Sequence, residues 1–219
     1  MEISENLTAE EYRQLYEKVR AYGAYSLRDK KMQKLLKQKK RVVVFKRINT
    51  PEKIPAVYMY IIDGKYSNWY SFVALKGIDG DSFLGRLGDR EHFSIIKSHL
   101  VSRYIERHGW QGSRESCENY ILAQTILMWC DHDRSTDEIA SYFDDGLMLG
   151  HLVDGMMVFK TYVHKSNLSN NQKIKAKWQE LKLNDIRRNA NDYFPPIFTN
   201  NLDAIDNIKP QMLNTNGKR

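Results

Sequence analysis

Residues 92–110 read HFSIIKSHLVSRYIERHGW and carry three histidines and two arginines within 19 residues. Histidine titrates near neutral pH and moves protons. The arginine guanidinium is a planar fork that matches a phosphate or a developing oxyanion. On a helix at about 100° per residue with His92 at zero, His99 falls near 340°, Arg103 near 20° and Arg107 near 60°. Phe93, Ile96, Leu100 and Tyr104 fall between about 40° and 120°, so the cationic stripe overlaps the apolar face instead of opposing it. Partial burial there would make the arginines anion-seeking and the histidines tunable. The alternative is an ion-pair network with Glu106 and neighbouring acids at a packed edge. His108, near 160°, stands away from the stripe and reads as a helix-end residue.

A second group lies in GLMLGHLVDGMMVFKTYVH, residues 146–164. Asp154-Gly155 is a type I′ hairpin dipeptide, and a two-residue loop pairs Val153 with Met156 and His151 with Val158. Strict alternation then places His151, Lys160, Tyr162 and His164 on one side, opposite an apolar face that includes Gly146, Met148, Gly150 and Phe159. Taken with the helix, His99, Arg103, Arg107, Tyr162 and His164 form an inventory for metal-free RNA cleavage. A histidine or tyrosine would deprotonate the 2′-hydroxyl, a second histidine would protonate the leaving oxygen, and an arginine would stabilise the phosphorane-like transition state. The alternative is a solvated sheet surface.

Other chemistries find less support. Cys130-x-His132 lacks a matched second ligand pair, and His132-Asp133 lacks the further ligands of the metal-dependent phosphohydrolase dyad it resembles, so neither a metal nor another cofactor is expected. Gly-x-Ser-x-Gly is absent, and Cys117 and Cys130 are expected on one apolar helix. The glycine-rich GIDGDSFLGRLGDR, residues 77–90, lacks the Gly-Lys-Ser/Thr of a P-loop and reads as a loop.

Charge is segregated. Residues 28–47 hold ten Lys/Arg against Asp29, a balance of +9; residues 164–188 hold seven against Glu180 and Asp185, a balance of +5; the remainder of this +7 chain carries −7. Such segregation points to a polyanion partner, RNA or DNA, contacted by Lys30, Lys31, Lys34, Lys37, Lys40, Arg41, Lys173 and Lys177. The alternatives are solvated helical faces, or a non-catalytic module whose basic helices bind an acidic protein or a second copy. Tyr58, Tyr60, Tyr66, Trp69 and Tyr70 would stack on bases if they face outward.

The elements that position these residues follow from caps and periodicity. Thr8-Ala9-Glu10-Glu11 is a capping box opening a helix to about Tyr22, with Gly23 as its stop. Ser26 is read as the cap of a second, lysine-rich helix. Strands are expected at 41–48, 56–63 and 68–77, and helices at about 91–108, 114–131 and 136–143. The Asp-Gly hairpin follows, and then a long basic helix from a Ser169–Gln172 capping box to about Ala190. The resulting expectation is a single α+β domain over 1–195, with a largely antiparallel sheet of about five strands, and a polar, frayed tail over 196–219. With 42% apolar and 28% charged residues, no run near the roughly 20 residues of a membrane span, no signal peptide and only two cysteines, a cytoplasmic protein is expected.

The segment HLVSRYIER, His99 to Arg107, resembles the His-x-x-x-Arg-Tyr-x-Glu-Arg helix of a family of uncharacterised bacterial proteins. With strands before it and a hairpin after it, the chain also resembles in outline the RelE-like endoribonuclease toxins, which are about half as long. That resemblance covers one helix and a hairpin. It implies RNA binding or cleavage, with His99, Arg103 and Arg107 as candidate positions.

Overall fold

The structure, a computed structural model, describes residue 3 and residues 7–38, 41–64, 66–86 and 92–189; Lys40 and the 196–219 segment lie outside them. Helix α1 runs Ala9–Ser26 behind the Thr8–Glu11 capping box. It passes through Gly23, because that glycine is a close approach and not a stop: a Cβ there would sit 2.6 Å from Trp69 Cδ1. Ser26 is not a cap. It is buried, donates to the Gly23 carbonyl at 3.1 Å and shares a short hydrogen bond with the Tyr60 hydroxyl. Helix α2, Lys30–Lys37, is capped instead by Asp29, whose carboxylate accepts from the Lys31 amide at 2.7 Å.

Strands β1 (Arg41–Asn49), β2 (Pro55–Asp63) and β3 (Tyr66–Gly77) form the expected antiparallel meander. The chain then departs from expectation. Residues 77–90 contain β4, Gly80–Arg86, and β5 follows at Phe93–Ile96. Both are covered on both faces, so their burial is continuous and the period-two signal is lost. Gly85 serves packing, since a Cβ there would meet the Phe72 ring at 2.5 Å. Helix α3 is therefore only Ser98–His108, and His92 lies off it. Helix α4 stops at Gln124 (Arg114–Gln124), a 3₁₀ turn follows, and β6 (Cys130–Asp133) and β7 (Glu138–Phe143) occupy the rest of what read as helix. Ser135-Thr136-Asp137-Glu138 has the residue pattern of a capping box but opens no helix, and Glu138 begins β7. Asp133 takes the Ser135 amide and hydroxyl into a tight turn, and Ile139, Ser141 and Phe143 then alternate inward.

Strands β8 (Gly146–Val153) and β9 (Met156–His164) meet at Asp154 and Gly155, with φ of 50° and 74°, as a type I′ turn requires. The nine strands are ordered β1-β2-β3-β4-β5-β9-β8-β7-β6, antiparallel throughout except for the parallel β5–β9 pair. The α+β class stands, with nine strands where five were expected. Helices α1 and α2 cover one face through Tyr12, Tyr16, Val19 and Met32; α3 and α4 cover the other through Leu100, Tyr104 and Ile121. Helix α5, Asn170–Arg188, opens on the expected Ser169–Gln172 capping box. It starts on the α1/α2 face, where Ala176 joins Leu147 and Val163, and leans over the β7 end of the sheet.

A bulge corrects the hairpin. Leu149 faces Thr161 but Gly150 faces Phe159, so Lys160 is an extra residue in β9. A Cβ on Gly150 would lie 2.0 Å from the Val158 carbonyl oxygen, which is why glycine stands there. The side-chain sequence flips past the bulge. Tyr162 faces α3 together with Phe159 and Met148, whereas His151, opposite Val158, belongs to the other face. The grouping of His151 and Tyr162 on one side does not survive.

Candidate functional site

Helix α3 and β9 do meet, and they divide the α3 residues into two sets. Toward the N-terminal end, half-exposed His99 holds its Nδ1 3.5 Å from the Asp79 carboxylate, while its Nε2 accepts from Arg103 Nε at 3.3 Å. Arg103 in turn pairs with Glu106 at 2.8 Å. This end is a half-exposed chain of polar contacts that holds one ion pair, Arg103 to Glu106.

At the C-terminal end, where Gly109 closes the helix in the left-handed region at φ 69°, Arg107 donates through Nη1 to the Tyr162 carbonyl. The Tyr162 hydroxyl donates to the Asp144 carbonyl at 2.7 Å. Asp144 occupies the β7–β8 turn at φ 41°, and its carboxylate accepts from the Tyr104 hydroxyl and lies 3.2 Å from His108 Nε2. The His108 ring stacks on Tyr104 at 4.9 Å and stands 6.3 Å from the ring of His164. His164 caps the following 3₁₀ turn, its Nδ1 accepting from the Ser166 amide at 3.3 Å. Tyr162 and Phe143 wall the cluster, both edge-on to Tyr104.

Burial chiefly, and then the Asp144 charge, push the Tyr104 and Tyr162 hydroxyls well above the ordinary phenol range. Neither ionises near neutral pH, so Tyr162 is a hydrogen-bond donor here and not a base. His99 is likewise separated from His164: the latter sits beside His108, nine residues from His99, or about 13 Å along a helix axis. The structure thus brings Arg107, Tyr162 and His164 together and leaves His99 and Arg103 apart. The residues that sequence reasoning missed here are Tyr104, His108 and Asp144. The i, i+4 spacing of Tyr104 and His108 was visible; their partner comes from a turn 40 residues after Tyr104.

A second buried charge cluster also went unforeseen. Glu118, on the inward side of α4, accepts from Arg47 at 2.9 Å and from Arg114 at 3.1 Å. Arg47 additionally donates to Asn119, and Arg114 to the Ser98 carbonyl. Burial pushes the Glu118 carboxyl up, opposed by the two guanidiniums. The Cys117 and Cys130 thiols are both pushed up to about 12, by burial first, so neither is a poised nucleophile or thiolate ligand.

The basic surface has a different character. Lys30, Lys31, Lys34 and Lys37 are all exposed on α2, while Met32 is buried and Leu35 and Leu36 half-buried. Among the described residues none of these four lysines makes an ion pair. By contrast, Arg41 is held by Asp63 at 3.0 Å and Lys46 by Asp29 at 3.0 Å. On α5, Lys173 and Lys177 are exposed one turn apart. Tyr58 and Tyr60 are buried and bonded to α1 carbonyls, so they do not stack on a ligand; Tyr66 is exposed.

Fold and surface together define an α+β protein whose nine-stranded mixed sheet is covered by helices on both faces and carries a lysine stripe on one of them. Among the described residues no helix is long and apolar enough to cross a membrane. Comparison with known proteins finds no matching family model, no matching curated protein and no matching solved structure.

Proposed function

We propose that this chain binds nucleic acid through the phosphate backbone, with α2 as the primary contact. The observation that carries the reading is the row of exposed Lys30, Lys31, Lys34 and Lys37, without an ion pair among the described residues, on a helix anchored to the sheet by its opposite side. Lys30, Lys34 and Lys37, four and three residues apart, follow one helix edge with Lys31 on the flank beside them, and phosphates bound there would displace counterions. Arg41 and the exposed Lys173 and Lys177 add positive potential without being needed for the stripe. The cleavage form of this reading has less geometric support, because His99 and His164 do not surround one phosphate and the Tyr162 hydroxyl is already committed.

The experiment is a titration of fluorescent RNA and DNA oligonucleotides at about 50 mM salt, where backbone-driven binding is strong. Replacing the four α2 lysines by glutamine is expected to weaken binding to every sequence alike, since phosphate contacts carry no base information. Absence of binding by the wild-type protein at that salt overturns the reading.

A further inference from the structure

Helix α5 turns an apolar row outward. Ile174, Trp178 and Leu181 are 70%, 51% and 60% exposed, whereas Ala176 and Gln179 are buried against the sheet. Their spacings of four and three residues make a seam of the coiled-coil kind, with Trp178 at an a position and Ile174 and Leu181 at d. The seam is narrow, about 60° around the helix, against the 100° or more of a helix that buries a broad face. A bilayer surface calls for that broader face; a partner helix needs only the seam.

The flanks identify the partner. The e and g positions beside the seam are Lys175, Lys177 and Lys182, with Asn170 and Asn184, and no acid. Lys173 adds a further exposed cation one turn before Lys177, and the Lys182 ammonium lies 5.6 Å from the Trp178 ring, over its face. Two copies of α5 packed seam to seam would set lysine against lysine, which disfavours self-association. A helix with acidic e and g residues would meet the lysines with carboxylates.

We propose that α5 docks an acidic amphipathic helix of another protein, its apolar residues seated on Ile174, Trp178 and Leu181 and its carboxylates facing Lys175, Lys177 and Lys182. This surface is separate from α2, and the inference does not rest on the nucleic-acid reading.

The test titrates the full chain with a synthetic peptide of about three heptads bearing leucine at a and d and glutamate at e and g, and with its lysine counterpart. Each peptide pairs weakly with itself because like charges oppose. The acidic peptide is expected to bind, shift the emission of Trp178 to the blue and discriminate against the lysine peptide. Leu181→Glu should lower its affinity roughly tenfold or more, as truncation of an interface anchor does. Reversing Lys175, Lys177 and Lys182 to glutamate should switch preference to the lysine peptide, while the four α2 lysine-to-glutamine changes leave peptide binding as it was. All substituted positions are exposed, and an unchanged melting temperature verifies the fold. Equal binding of both peptides overturns the proposal. So does self-association that Leu181→Glu abolishes, or loss in the seam variants of binding to phosphatidylserine vesicles or RNA in place of the peptide.

Discussion

His108 shows how a side chain is read differently once its surroundings are known. By angle it leaves the cationic stripe of α3, and by position it ends a helix, yet its side chain is only 7% exposed, stacked on Tyr104 and set against Asp144. A helical wheel reports direction but not what docks there, and the β7–β8 turn that supplies Asp144 is remote in sequence. The Tyr104 hydroxyl is one of the donors satisfying that part-buried carboxylate, so Tyr104→Phe is expected to cost about 1 kcal/mol, the net worth of a hydrogen bond. A lower urea midpoint at unchanged slope is the expected readout; an unchanged midpoint contradicts it. Glu118 offers a pH test. Because burial raises its folded-state pKa, the stability linked to its ionisation is fully present below the ordinary carboxyl range and is lost as pH rises through the folded value. Wild type should therefore lose stability relative to Glu118→Gln as pH rises from the ordinary carboxyl range through the raised folded value. Melting curves that stay parallel across that window oppose the assignment.

At the scale of elements, legibility tracked exposure. The capping boxes at Thr8 and Ser169, the first three strands and the Asp154-Gly155 turn were all readable, because caps and turns are local chemistry. Strands β4 and β5 were not: helices cover both faces, and glycines that look like loop signals are close-packing sites. The β9 bulge was equally hidden, since its single extra residue appears only once the partner register is known. Gly150→Ala forces a methyl group onto the Val158 carbonyl, and about 1–3 kcal/mol of destabilisation is expected from such overpacking. Chemical denaturation measures it, and a neutral result would mean the bulge relaxes without cost. The Asp29 cap ties α2 to pH. The side-chain hydrogen bond from Lys46 first, and then the Lys31 amide, hold its carboxyl below the ordinary range. The cap's contribution is thus present above that range and is lost as pH falls through the lowered value. The protection of the α2 amides, taken relative to their intrinsic exchange rate at each pH, should fall on acidification, and Asp29→Ala should show the lower protection at neutral pH as well.

Across the whole molecule, charge was the most legible property and topology the least. Part of each basic segment forms an exposed helical surface, on α2 and on α5, whereas Arg41, Lys46 and Arg47 of the first lie on β1 in ion pairs. The parallel β5–β9 pair that joins the two antiparallel halves depends on a connection through α3, α4 and three strands, which no local pattern announces. The same topology places the two basic helices at different ends of one sheet and gives each its own surface, so their contributions to binding separate experimentally. The most direct measurement is the slope of log affinity against log salt for a duplex DNA oligonucleotide, compared between wild type and Lys31→Gln/Lys34→Gln. Each phosphate contact contributes a slope of about 0.9, so the double variant is expected to flatten the dependence by about two. An identical slope, or no binding by wild type at low salt, contradicts α2 as the nucleic-acid surface.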